Sequence, residues 1–193
     1  EVSKASFFGK ANYSFDNRYL LDVTARAHGS SKFAPGHRWG TFPSAAIAWN
    51  IQNENFFKKI RSANTFTNLK LRASYGLIGN ENVDPYLWQE NVNDWGWTMR
   101  VPNPEFSWEK QKQWNIGLDL GAFNNRLSLT AEVYKKHSYD LIYDRFPVPP
   151  LTGSSSLESA VNIGSVENKG WEISAQWSEK KGDFSYTIGG MLF

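Results

Sequence analysis

The residues best suited to chemistry lie in one aromatic stretch of the chain. Tyr86, Trp88, Trp95, Trp97 and Trp108 fall within 76–108, interleaved with Asn, Gln, Asp and Glu. Flat rings beside hydrogen-bonding groups suit sugars, which offer an apolar ring face and peripheral hydroxyls. These five are the candidate substrate contacts. A blander reading weighs more: the same rings would pack the loop on itself or cap a barrel rim. Other chemistry finds little support. Of the three histidines, His37 and His28 stand alone, and His137 neighbours Ser138 and Asp140. Adjacent strand residues point to opposite faces, so that trio does not assemble a triad locally. There is no GxSxG, HExxH or phosphate-binding glycine motif. Glu81, Asp84, Glu90 and Asp94 are scattered without an EF-hand spacing and read as solvated loop carboxylates. No catalytic residue, metal site or cofactor is assigned, and the chain is not read as an enzyme.

Composition narrows the classes further. The 193 residues carry 21 Lys plus Arg against 19 Asp plus Glu, a formal charge of +2. With no basic run to add a local field, nucleic acid is not an expected partner. Cysteine is absent, which removes disulfides and thiolate chemistry together. The longest apolar run, Ala45-Ala46-Ile47-Ala48-Trp49, is far short of the roughly 20 residues a membrane helix needs. A membrane β-barrel escapes that test, because its strands alternate. The chain opens at Glu1 with no leader-like segment, so a leader has been removed or the chain is an internal fragment.

The elements that must hold these residues are strands. Period two recurs about eight times. Leu127, Leu129, Ala131 and Val133 oppose Ser128, Thr130, Glu132 and Tyr134; Trp114, Ile116, Leu118 and Leu120 oppose Asn115, Gly117, Asp119 and Gly121. Similar alternation marks 19–28, 69–75 and 171–177, with weaker versions at 5–15, 41–51 and 184–193. Only 55–63 suggests a helical turn or two. Asp16-Asn17, Asn124-Asn125 and 179–183 suit tight hairpins. Long links at 29–40, 76–107 and 140–165 alternate with them, so short turns gather at one end and large loops at the other. The link 53–66 is long yet falls on the short-turn side, and nothing in the sequence explains it.

A soluble sandwich and a membrane barrel both alternate. Three features favour the barrel. Several strands reach nine or more residues, the length a tilted strand needs to cross a bilayer. Their apolar faces are free of charge centrally, where Lys or Arg would cost about 2–4 kcal/mol. Aromatics on those faces cluster near strand ends: Tyr13, Phe15, Tyr19, Trp49, Trp177, Phe184 and Tyr186 towards the short turns, Phe7, Tyr75 and Trp171 towards the long loops. The opposite face, with Asp22, Arg26, Lys70, Arg72, Asp119, Glu132 and Glu172, reads as the wall of a wet lumen. Its charges would touch substrate or pair across strands to stiffen the wall. Trp39 reads as a loop-to-strand anchor.

Four blocks resemble SusC/RagA-type TonB-dependent outer-membrane transporters: GSSKFAPGHRWGTFPSAAIAWNI (29–51), LKLRASYGLIGN (69–80), NPEFSWEKQKQWNIGLDLGAFNNRLSLTAEVYKK (103–136) and NIGSVENKGWEIS (162–174). His28 departs from the pattern, where the family usually has Asp. The resemblance implies an all-β, antiparallel transmembrane barrel segment of about eight strands, residues 1–193, within a 22-stranded barrel whose plug domain and other strands lie elsewhere. It implies the outer membrane of a Gram-negative cell, contact with its lipids, and import of an oligosaccharide or peptide substrate. The implied partners are a SusD-like surface lipoprotein over the extracellular mouth and TonB, acting through parts outside this chain. Two alternatives stay open: a self-contained small outer-membrane barrel, and a soluble carbohydrate-binding β-sandwich.

Overall fold

Like rows meet like rows when the strands pair. The computed structural model describes residues 1–60, 65–92, 94, 98–149 and 157–193. In chain order the strands are β1 (Lys4–Phe15), β2 (Tyr19–Ser30), β3 (Trp39–Asn50), β4 (Phe66–Asn80), β5 (Asn91–Val92), β6 (Thr98–Arg100), β7 (Glu109–Ala122), β8 (Leu127–Tyr139), β9 (Ile142–Pro147), β10 (Glu158–Asn162), β11 (Ser165–Lys181) and β12 (Phe184–Leu192). A short helix, α1 (Asn55–Ile60), follows a 3-10 turn at Ile51–Asn53. The eight long strands form one antiparallel sheet in the order β1-β2-β3-β4-β7-β8-β11-β12. The four short ones form a second sheet within the long links, ordered β5-β6-β10-β9.

Register carries one apolar row across most of the sheet. Tyr13 pairs with Leu21, Leu21 with Ile47, Ile47 with Ala73, Ala73 with Ile116, Ile116 with Val133 and Val133 with Trp171. The neighbouring row is polar: Asn12, Asp22, Ala46, Ser74, Asn115 and Tyr134 line up through the same pairings. A one-residue slip would turn every apolar side chain to the wrong side, so this pattern pins the register. Among the described residues no second layer of protein covers the apolar face. Ile47 remains 58% exposed, Ile116 47% and Val133 44%. A sandwich would bury them; a surface of this apolar extent is accounted for by lipid. The small closed barrel is not formed either, since β1 and β12 both lie at edges of the sheet.

The short-turn end is built from residues in the left-handed region. Asp16 and Asn17 (both φ 50°) turn β1 into β2, Asn124 and Asn125 serve β7–β8, and Gly182 (φ 64°) serves β11–β12. Asx side chains and glycine accept this conformation at least cost. The long link between β3 and β4 is now explained. It folds back as the 3-10 turn and α1, and presents Glu54 to the hairpin beside it. Glu54 accepts hydrogen bonds from the Tyr19 hydroxyl (2.7 Å) and the Trp49 indole N–H (3.1 Å), with Arg18 at 3.5 Å. Those donors outweigh burial and hold the Glu54 carboxyl below the usual carboxylate range. Asn50 and Asn53 both donate to the Asn17 carbonyl, at 2.7 and 2.8 Å. Gln52 accepts from the backbone N–H of Leu69 at 3.1 Å, closing the link onto β4.

Strands outrun their alternating stretches at the long-loop end. β4 continues to Asn80 and β7 begins at Glu109. Glycines at 76 and 79 obscure this extension in the sequence.

Candidate functional site

Three long links from separate parts of the chain converge over the long-loop end. Phe33 comes from the β2–β3 link, Leu87, Phe106 and Trp108 from the β4–β7 link, and Ala160 from β10; all are buried together. Trp108 lies at the centre, with ring centroids 4.5 Å from Phe33 and 5.4 Å from Phe42. Its indole N–H donates to the Arg38 carbonyl at 3.3 Å. Phe42 fills the space beyond the last β3–β4 pair, and a Cβ on Gly40 or Gly79 would overlap its ring. Side-chain amides lace the links together. Asn103 Nδ2 donates to the Ala160 carbonyl (2.8 Å), and Asn162 Nδ2 to the carbonyls of Ser107 (2.8 Å) and Asp140 (3.0 Å). Lys32 Nζ donates to the Val83 carbonyl at 2.6 Å. The result is a canopy with its own apolar core.

The five candidate contacts divide within this canopy. Trp108 is 3% exposed, so its position is that of a core residue rather than an offered ring face. Trp88 packs against the same core with one side partly open, and its indole N–H has no partner among the described residues. Tyr86 is exposed, at φ 67°, and its hydroxyl donates to the Glu1 carbonyl at 3.1 Å. Trp95 and Trp97 lie outside the described residues. Trp39 anchors the entry to β3, but on the outer face, stacked on Phe7 at 6.0 Å and lying over Gly29.

Beneath the canopy a cleft of about 330 Å³ opens against the polar face, lined by Arg26, His28, Phe42, Glu81 and Trp108 among others. His28 Nε2 sits 3.4 Å from Glu81, its Nδ1 3.1 Å from Arg26, and its ring meets Trp108 edge-on. Burial pushes the Glu81 carboxyl up, but hydrogen bonds from Lys4 (2.7 Å) and Ser30, with the Lys4 charge, hold it below the usual range.

Lower on the same face, the charges pair across strands. Arg72 on β4 reaches Asp119 on β7 (3.3 Å) and Glu132 on β8 (2.6 Å). It crosses β7 at Gly117, which sits opposite both Arg72 and Glu132; a Cβ there would lie 2.6 Å from the guanidinium carbon. Asn115 donates to Glu132 at 2.7 Å and Thr130 to Asp119 at 3.2 Å. Amides extend the network along β7: Gln113 donates to Asn115 (3.2 Å), Gln111 to Gln113 (3.4 Å), and Ser138 to Gln111 (3.2 Å). From Gln111 to Asp119 this ladder covers about 27 Å of strand at roughly 3.4 Å per residue. Sequence reasoning read Arg72, Asp119 and Glu132 as wall charges and set Gln113 and Asn115 on the same polar face, but did not join them with Gln111 into a ladder. Its signal was present as same-parity amides on one strand.

Comparison with known proteins agrees with this geometry. Residues 1–191 match the family described as TonB dependent receptor-like, beta-barrel. TonB-dependent receptor P3 of Formosa agariphila is 39% identical over 186 residues, covering 90% of this chain and 18% of that protein. TonB-dependent receptor SusC of Bacteroides thetaiotaomicron is 37% identical over 184 residues, covering 88% and 18%. The structure of the RagAB peptide transporter superposes with a TM-score of 0.80 at 30% identity, over 98% of this chain and 22% of that one. The chain thus spans about a fifth of the length of the relatives it matches. A sheet with an uncovered apolar face, a polar inner face and canopied long loops is the wall of an outer-membrane barrel, and this chain belongs to the TonB-dependent receptor β-barrel family.

Proposed function

We propose that the chain is a wall segment of a TonB-dependent importer of oligosaccharides or peptides, working with a SusD-like surface lipoprotein. The observation that carries this reading is the two-faced sheet: apolar rows outside, a hydrogen-bonding ladder and charge network inside. Its likeness to SusC and to the RagAB peptide transporter supports the substrate classes and the lidded arrangement. Here residues 1–193 supply lipid contact, lumen wall and extracellular canopy. Energy coupling through TonB and a plug belongs to parts of the protein beyond this segment.

Within the canopy, Tyr86 and the open side of Trp88 are the substrate or lid contacts; Trp108 holds the loops that carry them. Trp95 and Trp97 are proposed with them on sequence grounds alone. The test uses the full-length protein. Deleting its gene should abolish uptake of a labelled oligosaccharide or a labelled peptide, and the purified receptor should bring down a surface lipoprotein. Unchanged uptake of both substrate classes, or recovery outside the outer-membrane fraction, would overturn the reading.

A further inference from the structure

The outer face changes character at one level of the sheet, and in one sector. On β7, β8 and β11 the lipid-facing rows run without charge through Leu118, Ile116 and Trp114, through Ala131 and Val133, and through Ile173 and Trp171. Above them lysines take over on all three strands. Trp114 pairs with Lys135, and Lys135 with Lys169; one step further out, Lys112 pairs with His137 and Lys110 with Tyr139. Parity keeps all of them on the face of Val133 and Trp171. Two anions answer part of this charge. Glu167 binds Lys135 at 2.8 Å and Asp140 lies 3.6 Å from Lys110. Lys112 and Lys169 make no ion pair within 4 Å among the described residues, although Lys169 lies within electrostatic reach of Glu167, and both are exposed. Lys112 Nζ rests 4.8 Å from the centre of the Tyr139 ring, which props it outwards. The equivalent outer positions on β1 to β4 hold Phe7, Ala25, Ala27, Thr41, Pro43, Leu77 and Gly79, with no cation.

Position and charge together identify the ligand chemistry. Long loops mark the extracellular side of such barrels, so the lysines stand at the headgroup level of the outer leaflet. In a Gram-negative outer membrane that leaflet is built from phosphorylated glycolipid. Exposed Trp171 sits directly below them, and exposed Trp114 lies level with Lys135 and Lys169 and below Lys112, at the depth where aromatic rings prefer the boundary between headgroup and acyl chain. An even belt of cations would anchor the barrel without selectivity. Here the cations fall on three adjacent strands beside a sector, β1 to β4, that carries none; they span about 10 Å at roughly 4.8 Å per strand spacing, the width of one headgroup. We propose that Lys112 and Lys169, backed by Lys110, Lys135 and His137, form a docking site for the phosphates of an outer-leaflet glycolipid.

The test uses the full-length receptor in detergent, with diphosphoryl lipid A as the probe and binding followed by native mass spectrometry. Replacing both exposed lysines (Lys112→Gln with Lys169→Gln) should weaken binding about 30-fold, roughly fivefold for each cation near the headgroup layer. The same charge change at the short-turn end, Lys180→Gln with Lys181→Gln, should leave binding unaltered. Dephosphorylated lipid A should bind the native receptor as weakly as diphosphoryl lipid A binds the double variant. Equal binding of the two lipids, or full binding by the double variant, would sink the proposal. Displacement of lipid A by low millimolar inorganic phosphate would also overturn it, assigning the lysines to a soluble anion.

Discussion

The two ends of the sheet solve one problem with opposite chemistry. Each must tie an irregular link down onto strands. At the short-turn end, the β3–β4 link is held by polar groups converging on a single carboxylate, Glu54, and on the Asn17 carbonyl. At the long-loop end, three links share an apolar core around Trp108 and Phe33. Company, not length, explains the choice. The β3–β4 link (51–65) has only tight hairpin turns beside it, so specific hydrogen bonds must order it. The canopy links pool aromatic side chains from separate parts of the chain into one core.

The largest expected effect comes from emptying that core. Trp108→Ala in the full-length receptor should cost about 3–5 kcal/mol, the usual range for truncating a buried aromatic. Extracellular protease should then cut all three long links while the short-turn end stays protected. Resistance equal to that of the unaltered protein would show that the links are ordered independently. Glu54→Gln should act at the other end and less strongly. It should lower the urea midpoint and change the Trp49 fluorescence without opening the canopy.

Acid acts on both ends in the same direction. Because the folded Glu54 carboxyl is held below its unfolded value, its contribution is fully present above the ordinary carboxylate pKa of about 4.3. It is lost as pH falls through the lowered folded value. Glu81 in the canopy has the same sign. Comparing the unfolding midpoints of Glu54→Gln and Glu81→Gln between pH 7 and pH 3 should show a flatter profile for each than for the native receptor. The smallest effect belongs to the wall between the ends. A double-mutant cycle of Arg72→Gln and Glu132→Gln should give a coupling of about 1 kcal/mol or less, typical of a partly solvated pair, and alter neither end.

What the sequence reveals follows from the same contrast. Strand faces were legible because water and lipid sort every second side chain, as at Leu127 to Val133. The extension of β4 was not, since Gly76 and Gly79 break the alternation while keeping the hydrogen bonds. The Glu54 clamp stayed hidden because its partners Arg18, Tyr19 and Trp49 come from other elements. Among the loop aromatics, composition flagged one segment without separating buried Trp108 from exposed Tyr86. That distinction depends on Phe33, which the long link from another hairpin supplies.

Arg72 lying across Gly117 has a mechanical consequence. Its guanidinium grips strands on either side of the one it passes over, two interstrand steps apart. Sliding any one of the three along its axis would stretch that grip before any backbone ladder could re-form in a new register. The middle of this sector is therefore tied across three strands by side chains as well as by its backbone ladders, so its register is held twice over.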